Sequence, residues 1–255
     1  MALQIVTIPC LSDNYAYLAH DPATGATAAV DVPEAAPILA ALRAQGWTLS
    51  DVLLTHHHAD HVQGLSALLS EAPARVIGAA ADAHRLPPLD RAVAEGDTVG
   101  IGSETGHVID VSGHTVGHVA FHFPQSGAVF TADSLMALGC GRVFEGTMAQ
   151  MHGSLAKLAA LPPDTLVYSG HEYTAANARF AVTIDPDNAH LAARVREIEV
   201  ARGANRPTVP SRLEEELATN PFLRAHDPAI RARLGMDGAS DADVFAEIRS
   251  RKDRF

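Results

Sequence analysis

Short apolar segments alternate with amphipathic stretches along the first two thirds of the chain. The apolar segments predict strands, and the stretches whose apolar residues recur every three or four positions predict helices. The predicted strands span residues 5–8, 15–19, 26–30, 52–54, 75–78, 107–111, 119–123, 128–131 and 166–168, and the predicted helices span 33–45, 61–69 and 148–161. Turn signals at Asp97, Gly100, Gly102 and Gly106 interrupt the middle of this region. This mixture indicates an α/β layered core with helices outside.

The pattern changes at Glu172, because runs of β-branched residues almost disappear after it. Helices are predicted over residues 175–181, 188–201, 212–218 and 242–251, with Pro207, Pro210, Pro221 and Pro228 between them. Thr147 with Gln150, and Ser211 with Glu214, have the spacing of capping boxes at helix starts. We therefore predict a domain over residues 1–171 and a small helical domain over 172–255.

The densest chemistry lies in one heptapeptide, at residues 55–61 with the sequence THHHADH. It follows an apolar strand and precedes a helix-like pattern, so its ligands lie on the turn between them. Residues two apart in an extended segment point the same way, so His56 and His58 can share one metal, while Asp60 and His61 can face a second. His57 should point the other way and is interpreted as a structural residue or as one that supports a ligand from outside the metal. A solvated loop is the alternative, and four ligand-type residues at this spacing count against it.

Two metals need about seven to nine ligand positions, so the heptapeptide cannot be the whole site. His114, Asp133 and His171 each follow an apolar strand beside small residues, and in α/β folds that edge of the sheet carries binding sites. Individually they could equally be a hydrogen-bonded loop histidine, a turn or cap residue, and a helix-start residue. Together with the heptapeptide they form one coherent metal site. The remaining histidines lack this setting, and His118 and His122 are the least clear among them.

The motif THxHxDH, followed by distant His, Asp and His, resembles the metallo-β-lactamase-fold hydrolases, and among them the glyoxalase II (hydroxyacylglutathione hydrolase) family. The segments IPCLSDNY at residues 8–15, GCGRVFEG at 139–146, GHEYT at 170–174, NPFLR at 220–224 and RSRKD at 249–253 extend this similarity over essentially the whole chain. The resemblance implies an αββα metallo-β-lactamase-type sandwich over residues 1–171, which binds the metals and carries out catalysis. It implies a substrate-binding role for the helical domain over 172–255.

The resemblance also implies the metal ligands and the reaction. One metal would be held by His56, His58 and His114, a second by Asp60, His61 and His171, and Asp133 would bridge them. Zn²⁺ is expected for both, with iron or manganese compatible. Hydroxide formed on the metals would attack the thioester of S-D-lactoylglutathione, with Asp60 also orienting it, to yield glutathione and D-lactate. This is the second step of methylglyoxal detoxification.

Glutathione itself would be bound by residues from three of the matching segments. These are Arg142, Phe144, Tyr173, Arg249 and Lys252. Arginine and lysine suit the carboxylates of the peptide. Arg142 stands where the family often has lysine, and Phe144 stands where it often has tyrosine, so a hydroxyl that could bond the substrate is missing. Tyr173 could compensate for it.

Asp31 has two interpretations that the sequence leaves open. It follows the predicted strand 26–30 and could be the hydrogen-bond partner of a ligand histidine. It could equally be a turn or helix-capping residue before Pro33.

Composition limits the partners and the location of the protein. The net charge is −11 and is uneven: residues 1–171 hold 16 acidic and 6 basic residues, whereas residues 172–255 hold 14 and 13. An acidic chain is a poor general ligand for nucleic acid, and no apolar run reaches the roughly 18 residues that span a membrane. Two cysteines and no recognisable signal segment make the cytoplasm the simplest location, and a monomer is the simplest assembly.

Other activities remain open on the same ligands. An iron persulfide dioxygenase would use one iron and would lack the helical C-terminal domain. A β-lactam hydrolase would not need the basic C-terminal tip, and a nuclease would carry a basic patch or an RNA-binding insertion. A redox or metal-binding scaffold would need an electron route, and no convincing glycine-rich cofactor motif is present.

Overall fold

The computed structural model describes all 255 residues, and the chain forms two compact units. The first comprises Met1–Val111 and Val116–Ala132, and the second comprises Ser112–Thr115 and Asp133–Phe255. This division differs from the predicted boundary at residues 171 and 172, and the predicted domain division stays a prediction. No helix is long and apolar enough to cross a membrane.

The first unit contains ten strands and three helices. The strands are β1 Gln4–Cys10, β2 Asn14–His20, β3 Thr27–Val30, β4 Asp51–Leu54, β5 Arg75–Ala79, β6 Arg91–Val93, β7 Thr98–Ile101, β8 Glu104–Asp110, β9 Val119–Phe123 and β10 Ala128–Ala132, and the helices are α1 Ala35–Gln45, α2 Ala59–Val62 and α3 Leu65–Glu71. Strands β1 to β6 form one sheet in chain order, antiparallel from β1 to β3 and parallel from β3 to β6. Strands β7 to β10 follow one another as an antiparallel ladder.

Burial explains why the central strands are continuously apolar. Strands β3 and β4 are buried along their whole length, as expected of parallel strands covered on both faces. Ile38 and Leu42 of α1 and Leu68 of α3 are buried in the same core cluster as Val52 and Leu54. The parallel part of the sheet therefore presents the C-terminal ends of β3 and β4 at one edge, where the chain turns into residues 31 and 55.

Two local expectations differ from the structure, and glycine explains both. The glycine-containing middle is a hairpin, β7 and β8, and a Cβ at Gly106 would lie 2.6 Å from Cε1 of Phe123, so glycine lets the phenylalanine pack against the strand. The helix predicted over 61–69 is split into α2 and α3. A Cβ at Gly64 would lie 2.9 Å from the backbone of Glu34 and Ala35, so the chain turns where only glycine fits.

The second unit is mainly helical. Its helices are α4 Met148–Ala159, α5 Thr174–Ile184, α6 Ala189–Gly203, α7 Leu213–Thr219, α8 Pro228–Leu234 and α9 Asp241–Asp253, and its strands are β11 Leu135–Met136, β12 Gly139–Cys140, β13 Leu166–Ser169 and β14 Ser211–Arg212. The structure adds α8, which starts after Asp227 with Pro228 in its first turn.

One of the two predicted capping boxes is confirmed. Gln150 N donates to Thr147 Oγ1 and Thr147 N donates to Gln150 Oε1, at 3.1 and 2.8 Å. The box predicted at Ser211 and Glu214 is wrong by one position. Ser211 pairs with Val167 in a strand, so the helix begins later.

Candidate metal centre

Four of the predicted ligands lie together at the end of β4 in the first unit. Thr55 to His58 leave the strand in extended form, and α2 then turns the chain so that Asp60 and His61 lie beside them. The ring centroids of His56 and His58 are 4.8 Å apart, and those of His56 and His61 are 4.2 Å apart. Oδ2 of Asp60 lies 3.8 Å from Nε2 of His61. The strand and the turn predicted around the heptapeptide are confirmed, and α2 and α3 stand in place of the single helix predicted over 61–69.

Asp31 fixes one of these histidines from the end of β3. Its Oδ2 lies 2.8 Å from Nδ1 of His61 and also accepts from the Thr55 hydroxyl, while its Oδ1 accepts from Thr55 N. Because a carboxylate can only accept, the His61 proton sits on Nδ1, and Nε2 keeps its lone pair for a metal. The structure thus decides the question that the sequence left open for Asp31 in favour of the histidine partner.

Three further residues support this group from outside it. His57 Nδ1 lies 2.9 Å from Asp82 Oδ2, which agrees with its predicted structural role. The ring of His118 stacks on that of His56, with centroids 4.5 Å apart. Sequence reasoning missed Asn14, whose Nδ2 donates to the backbone oxygen and to Oδ2 of Asp60, at 3.1 and 3.0 Å. Its only sequence signal was its place in the family-like segment at residues 8–15.

The other three predicted ligands meet in the second unit. Oδ2 of Asp133 lies 3.5 Å from Nε2 of His114 and 3.3 Å from Nε2 of His171, and all three side chains are buried. Two imidazole nitrogens that face one carboxylate oxygen at these distances form a typical transition-metal donor set. The sequence placed these residues 19 and 38 positions apart, at the ends of separate predicted strands.

The loop at residues 139–146, named the substrate loop after the role that the family resemblance implies, holds His114 in its orientation. Nδ1 of His114 donates to the carbonyl oxygen of Arg142 at 2.7 Å. Nε2 of His114 therefore carries the lone pair, and this nitrogen faces Asp133. A Cβ at Gly141 would lie 2.0 Å from the carbonyl oxygen of Asp133, which only glycine avoids. The loop therefore packs closely against Asp133 and His114, two of the predicted ligands.

Three residues predicted to bind substrate surround this second group. Tyr173 stacks on His171, with ring centroids 4.6 Å apart and planes 5° apart. Phe144 is 60% exposed, packs edge-on against His114 at 5.3 Å and has the Arg142 guanidinium 5.8 Å from its ring centre. Each of these side chains thus contacts a proposed ligand or a neighbour of one.

The two C-terminal cations differ in accessibility. Arg249 is buried, and its guanidinium donates to the Cys140 carbonyl at 2.9 Å and pairs with Asp253 at 3.0 Å. Lys252 is partly buried, donates to the Ala176 carbonyl at 3.2 Å, and burial lowers its pKa to about 8. Asp253 also accepts from Arg142, so the basic tip and the substrate loop share one carboxylate.

The donor set fits divalent metals of the zinc, iron and manganese group. It combines imidazole nitrogens with carboxylates, and two of the histidines have Nδ1 bonded to an acceptor, which directs Nε2 to a metal. Neither cysteine is among these ligands. Cys10 and Cys140 are buried free thiols, and burial raises the pKa of each to about 11.

Comparison with known proteins identifies the family of the chain. Residues 21–171 match the model of the metallo-β-lactamase superfamily, and residues 172–255 match that of the hydroxyacylglutathione hydrolase C-terminus. The chain is 70% identical to the hydroxyacylglutathione hydrolase of Jannaschia sp. (strain CCS1) over 252 residues, covering 99% of this chain and 98% of that one.

Two solved structures share the fold. The B3 metallo-β-lactamase BLEG-1 aligns with a TM-score of 0.67 at 20% identity, over 86% of this chain and 99% of that one. TTHA1623 in a di-iron-bound form aligns with a TM-score of 0.57 at 28% identity, over 66% of this chain and 91% of that one. The predicted α/β fold class, a metallo-β-lactamase-type fold with a C-terminal helical domain, is confirmed. These matches show that the chain belongs to the hydroxyacylglutathione hydrolase family of the metallo-β-lactamase superfamily.

Proposed function

We propose that this protein is a metal-dependent thioesterase that hydrolyses S-D-lactoylglutathione and related 2-hydroxyacylglutathiones to glutathione and D-lactate. The observation that carries the proposal is the buried group of His114, Asp133 and His171, next to the substrate loop, in a chain that belongs to this family. A thioesterase needs an activated water and a polarised carbonyl, and a metal centre supplies both.

Seven residues would hold two divalent ions in the arrangement that the family resemblance implies. One ion would be bound by His56, His58 and His114, and the other by Asp60, His61 and His171. Asp133 would bind both. Zinc is the proposed metal, and iron or manganese would suit the same ligands. When bound, such ions would supply a water of lowered pKa, roughly 7, and would polarise the thioester carbonyl.

The protein's own side chains orient these groups. Asn14 donates to Asp60, so this carboxylate keeps one orientation from which it can orient the attacking water. The leaving group is a thiolate whose thiol has a pKa near 8.5, so it departs without a dedicated general acid. Neither cysteine is needed as a nucleophile, and the raised pKa keeps both protonated at neutral pH.

Glutathione would lie along the second unit's polar and aromatic side chains. Arg142 and Lys252 carry positive charge toward its carboxylates, and Phe144 and Tyr173 offer apolar contact beside the ligands. Arg249 completes the proposed set. We also retain the proposal that residues 1–171 provide the catalytic domain and residues 172–255 the substrate-binding domain.

The test is steady-state hydrolysis of S-D-lactoylglutathione by the purified full-length protein, in anaerobic buffer, before and after chelation. Metal content is measured on the same sample. We expect rapid turnover with about two metals per chain, loss of turnover on chelation and recovery with Zn²⁺. A fully metallated protein without anaerobic turnover would refute the proposal, and oxygen-dependent consumption of glutathione persulfide would then identify a dioxygenase.

Location and assembly are part of the same proposal. The two buried free cysteines suit a reducing cytoplasm, and the acidic charge counts against nucleic acid as a partner. We propose a monomer, which light scattering coupled to size-exclusion chromatography tests directly: a mass near 26.8 kDa is expected, and twice that value would contradict it.

A further inference from the structure

A short hairpin joins one proposed metal ligand to the substrate loop. Its strands β11 and β12 pair Leu135 with Cys140 and Met136 with Gly139. Asp133 lies two residues before the hairpin, and Arg142 lies two residues after it. Because both flank the same few residues, a shift of the hairpin would move both of them.

Side chains from the C-terminal helices hold the backbone of this hairpin. Glu216 of α7 accepts from Leu138 N at 2.8 Å through Oε2. Asn220, directly after α7, donates from Nδ2 to the carbonyl oxygens of Met136 and Gly139, at 3.1 and 3.0 Å. Glu216 and Asn220 are fully buried, so these bonds are shielded from water.

The turn residue itself needs such support. Leu138 has φ = 55°, a left-handed conformation that is costly for a branched side chain. Its side chain is buried against Ala178, Ala181 and Leu191, and Asn177 Nδ2 donates to the Ala137 carbonyl at 3.0 Å. The surrounding helices therefore impose the conformation of the turn from several directions.

Arg194 of α6 completes the group. It donates from Nη2 to Oε1 of Glu216 and from Nη1 to the hydroxyl of Thr219 at 2.7 Å. A buried carboxylate needs hydrogen-bond donors in place of water, and Arg194 and Leu138 N supply them to Glu216 beneath the hairpin. We call the side chains of Glu216, Asn220 and Arg194 the hairpin latch.

The contacts of the substrate loop connect the latch to the ligands. Gly141 N donates to Ser134 O at 3.1 Å, and the missing Cβ of Gly141 allows contact with the carbonyl of Asp133. Arg142 offers the carbonyl oxygen that fixes Nδ1 of His114. A displaced hairpin would therefore misplace Asp133 directly and His114 through Arg142.

We propose that the hairpin latch is a positioning device for metal binding, with Glu216 as its central residue. The inference rests on the proposed function, because it takes Asp133 and His114 as metal ligands. The inference assigns a role to Asn220. This residue belongs to the family-like segment NPFLR, for which no function in the site had been predicted. Metal affinity would then depend on side chains of α6 and α7 that touch neither metal nor substrate.

The test is calorimetric titration of the metal-free full-length protein with Zn²⁺, in the absence of substrate. Glu216→Gln keeps the size of the side chain but offers one acceptor oxygen, so it cannot accept from both Leu138 N and Arg194. We expect zinc to bind about 10- to 100-fold more weakly to Glu216→Gln, the loss typical of groups that orient ligands. Glu214→Gln, an exposed change on the same helix, is the control and should bind zinc like the wild type.

Circular dichroism and thermal unfolding separate positioning from simple stability. Wild-type zinc affinity in Glu216→Gln, with a lower unfolding temperature alone, would overturn the proposal. Arg194→Lys, which keeps a cation but loses one of two hydrogen bonds, carries the same test if Glu216→Gln does not fold. It should weaken zinc binding in the same direction, and unchanged affinity would overturn the proposal. Failure of the wild type to hydrolyse the thioester would instead refute the proposed function.

Discussion

Oδ2 of Asp31 lies 2.8 Å from Nδ1 of His61, although 30 residues separate them in the chain. This contact joins the end of β3 to helix α2, which follows the neighbouring parallel strand β4, at the edge of the sheet where the proposed ligands lie. It determines which nitrogen of His61 carries the proton and which can bind a metal. The left-handed backbone of Asp31, with φ = 55°, aims the carboxylate there.

Asp31→Asn should therefore weaken metal binding while preserving the fold. Asparagine tolerates the left-handed conformation, but it has only one acceptor oxygen. Its NH2 group would face the N–H of Thr55 if the oxygen faced His61, or the N–H of His61 if the oxygen faced Thr55 N. We expect the affinity for zinc to fall about 10- to 100-fold, measured by competition with a chromogenic chelator. Asp51→Asn, another buried carboxylate on the same sheet, is the control. Equal zinc affinity in both variants and the wild type would contradict this role.

Replacement of the C-terminal cations should act mainly on substrate affinity. Lys252→Ala and Arg249→Ala are each expected to raise KM far more than they lower kcat. Groups that serve substrate binding, Lys252 directly and the buried Arg249 through its pair with Asp253, contribute equally to ground and transition states. Lys157→Ala, an exposed lysine on α4, should leave both constants unchanged. A large fall in kcat at constant KM would refute uniform binding.

Arg249→Ala should differ from Lys252→Ala in stability. The Arg249 side chain is buried, its guanidinium lies over Phe222 and it donates to the Cys140 carbonyl, so its removal also leaves a cavity and an unpaired carbonyl. We expect Arg249→Ala to lower the free energy of unfolding more than Lys252→Ala does. Urea unfolding of both variants measures this loss of stability, and their kinetics measure the effect on substrate affinity.

The dependence of kcat/KM on pH should contain a step from Lys252. Burial lowers the pKa of this ammonium from 10.5 to about 8, so it is charged below pH 8 and loses its proton as the pH rises through that value. Attraction for the substrate carboxylates is then lost, and kcat/KM should fall above about pH 8. The profile of Lys252→Ala should lack this step. An identical alkaline limb in both proteins would contradict the assignment.

Phe144→Tyr should tighten glutathione binding. The side chain is 60% exposed beside His114, so an added hydroxyl meets no steric obstacle and can bond the substrate. One hydrogen bond contributes on the order of 1 kcal/mol, which corresponds to about a fivefold lower KM. Phe144→Leu, without a hydroxyl, is the comparison for ring contact alone. An unchanged KM in Phe144→Tyr would show that Tyr173 or another group already fills this role.

Gly106→Ala tests the packing of the antiparallel ladder β7 to β10 rather than the proposed metal site. The new Cβ would lie 2.6 Å from Phe123, a ring that is fully buried, so the strand or the ring must shift. We expect a loss of about 1–3 kcal/mol in the free energy of unfolding, measured with urea. Gly100→Ala on the neighbouring strand, whose Cβ would meet nothing closer than 3.9 Å, should cost much less. Equal stabilities would show that the ladder adapts.

Local sequence patterns were sufficient to predict most of the strands and helices, and also the family. The strand, turn and helix around His56–His61 could be predicted because the apolar run, the ligand spacing and the following helix are adjacent in the chain. The hairpin β7 and β8 was not predicted, because its glycines signal turns locally, and only the ring of Phe123 explains why Gly106 lies within a strand.

The sequence by itself determined which residue types stand at the ends of the strands, since alternation, spacing and turn residues are short-range properties. It could not determine the partners that orient them. Asp31 with His61, Asn14 with Asp60, and Glu216 with Leu138 are separated by 30, 46 and 78 residues, and no local pattern records such distances. Only the tertiary structure places these polar groups against one another in buried or partly buried positions, where contact with water is reduced and a protein partner takes its place.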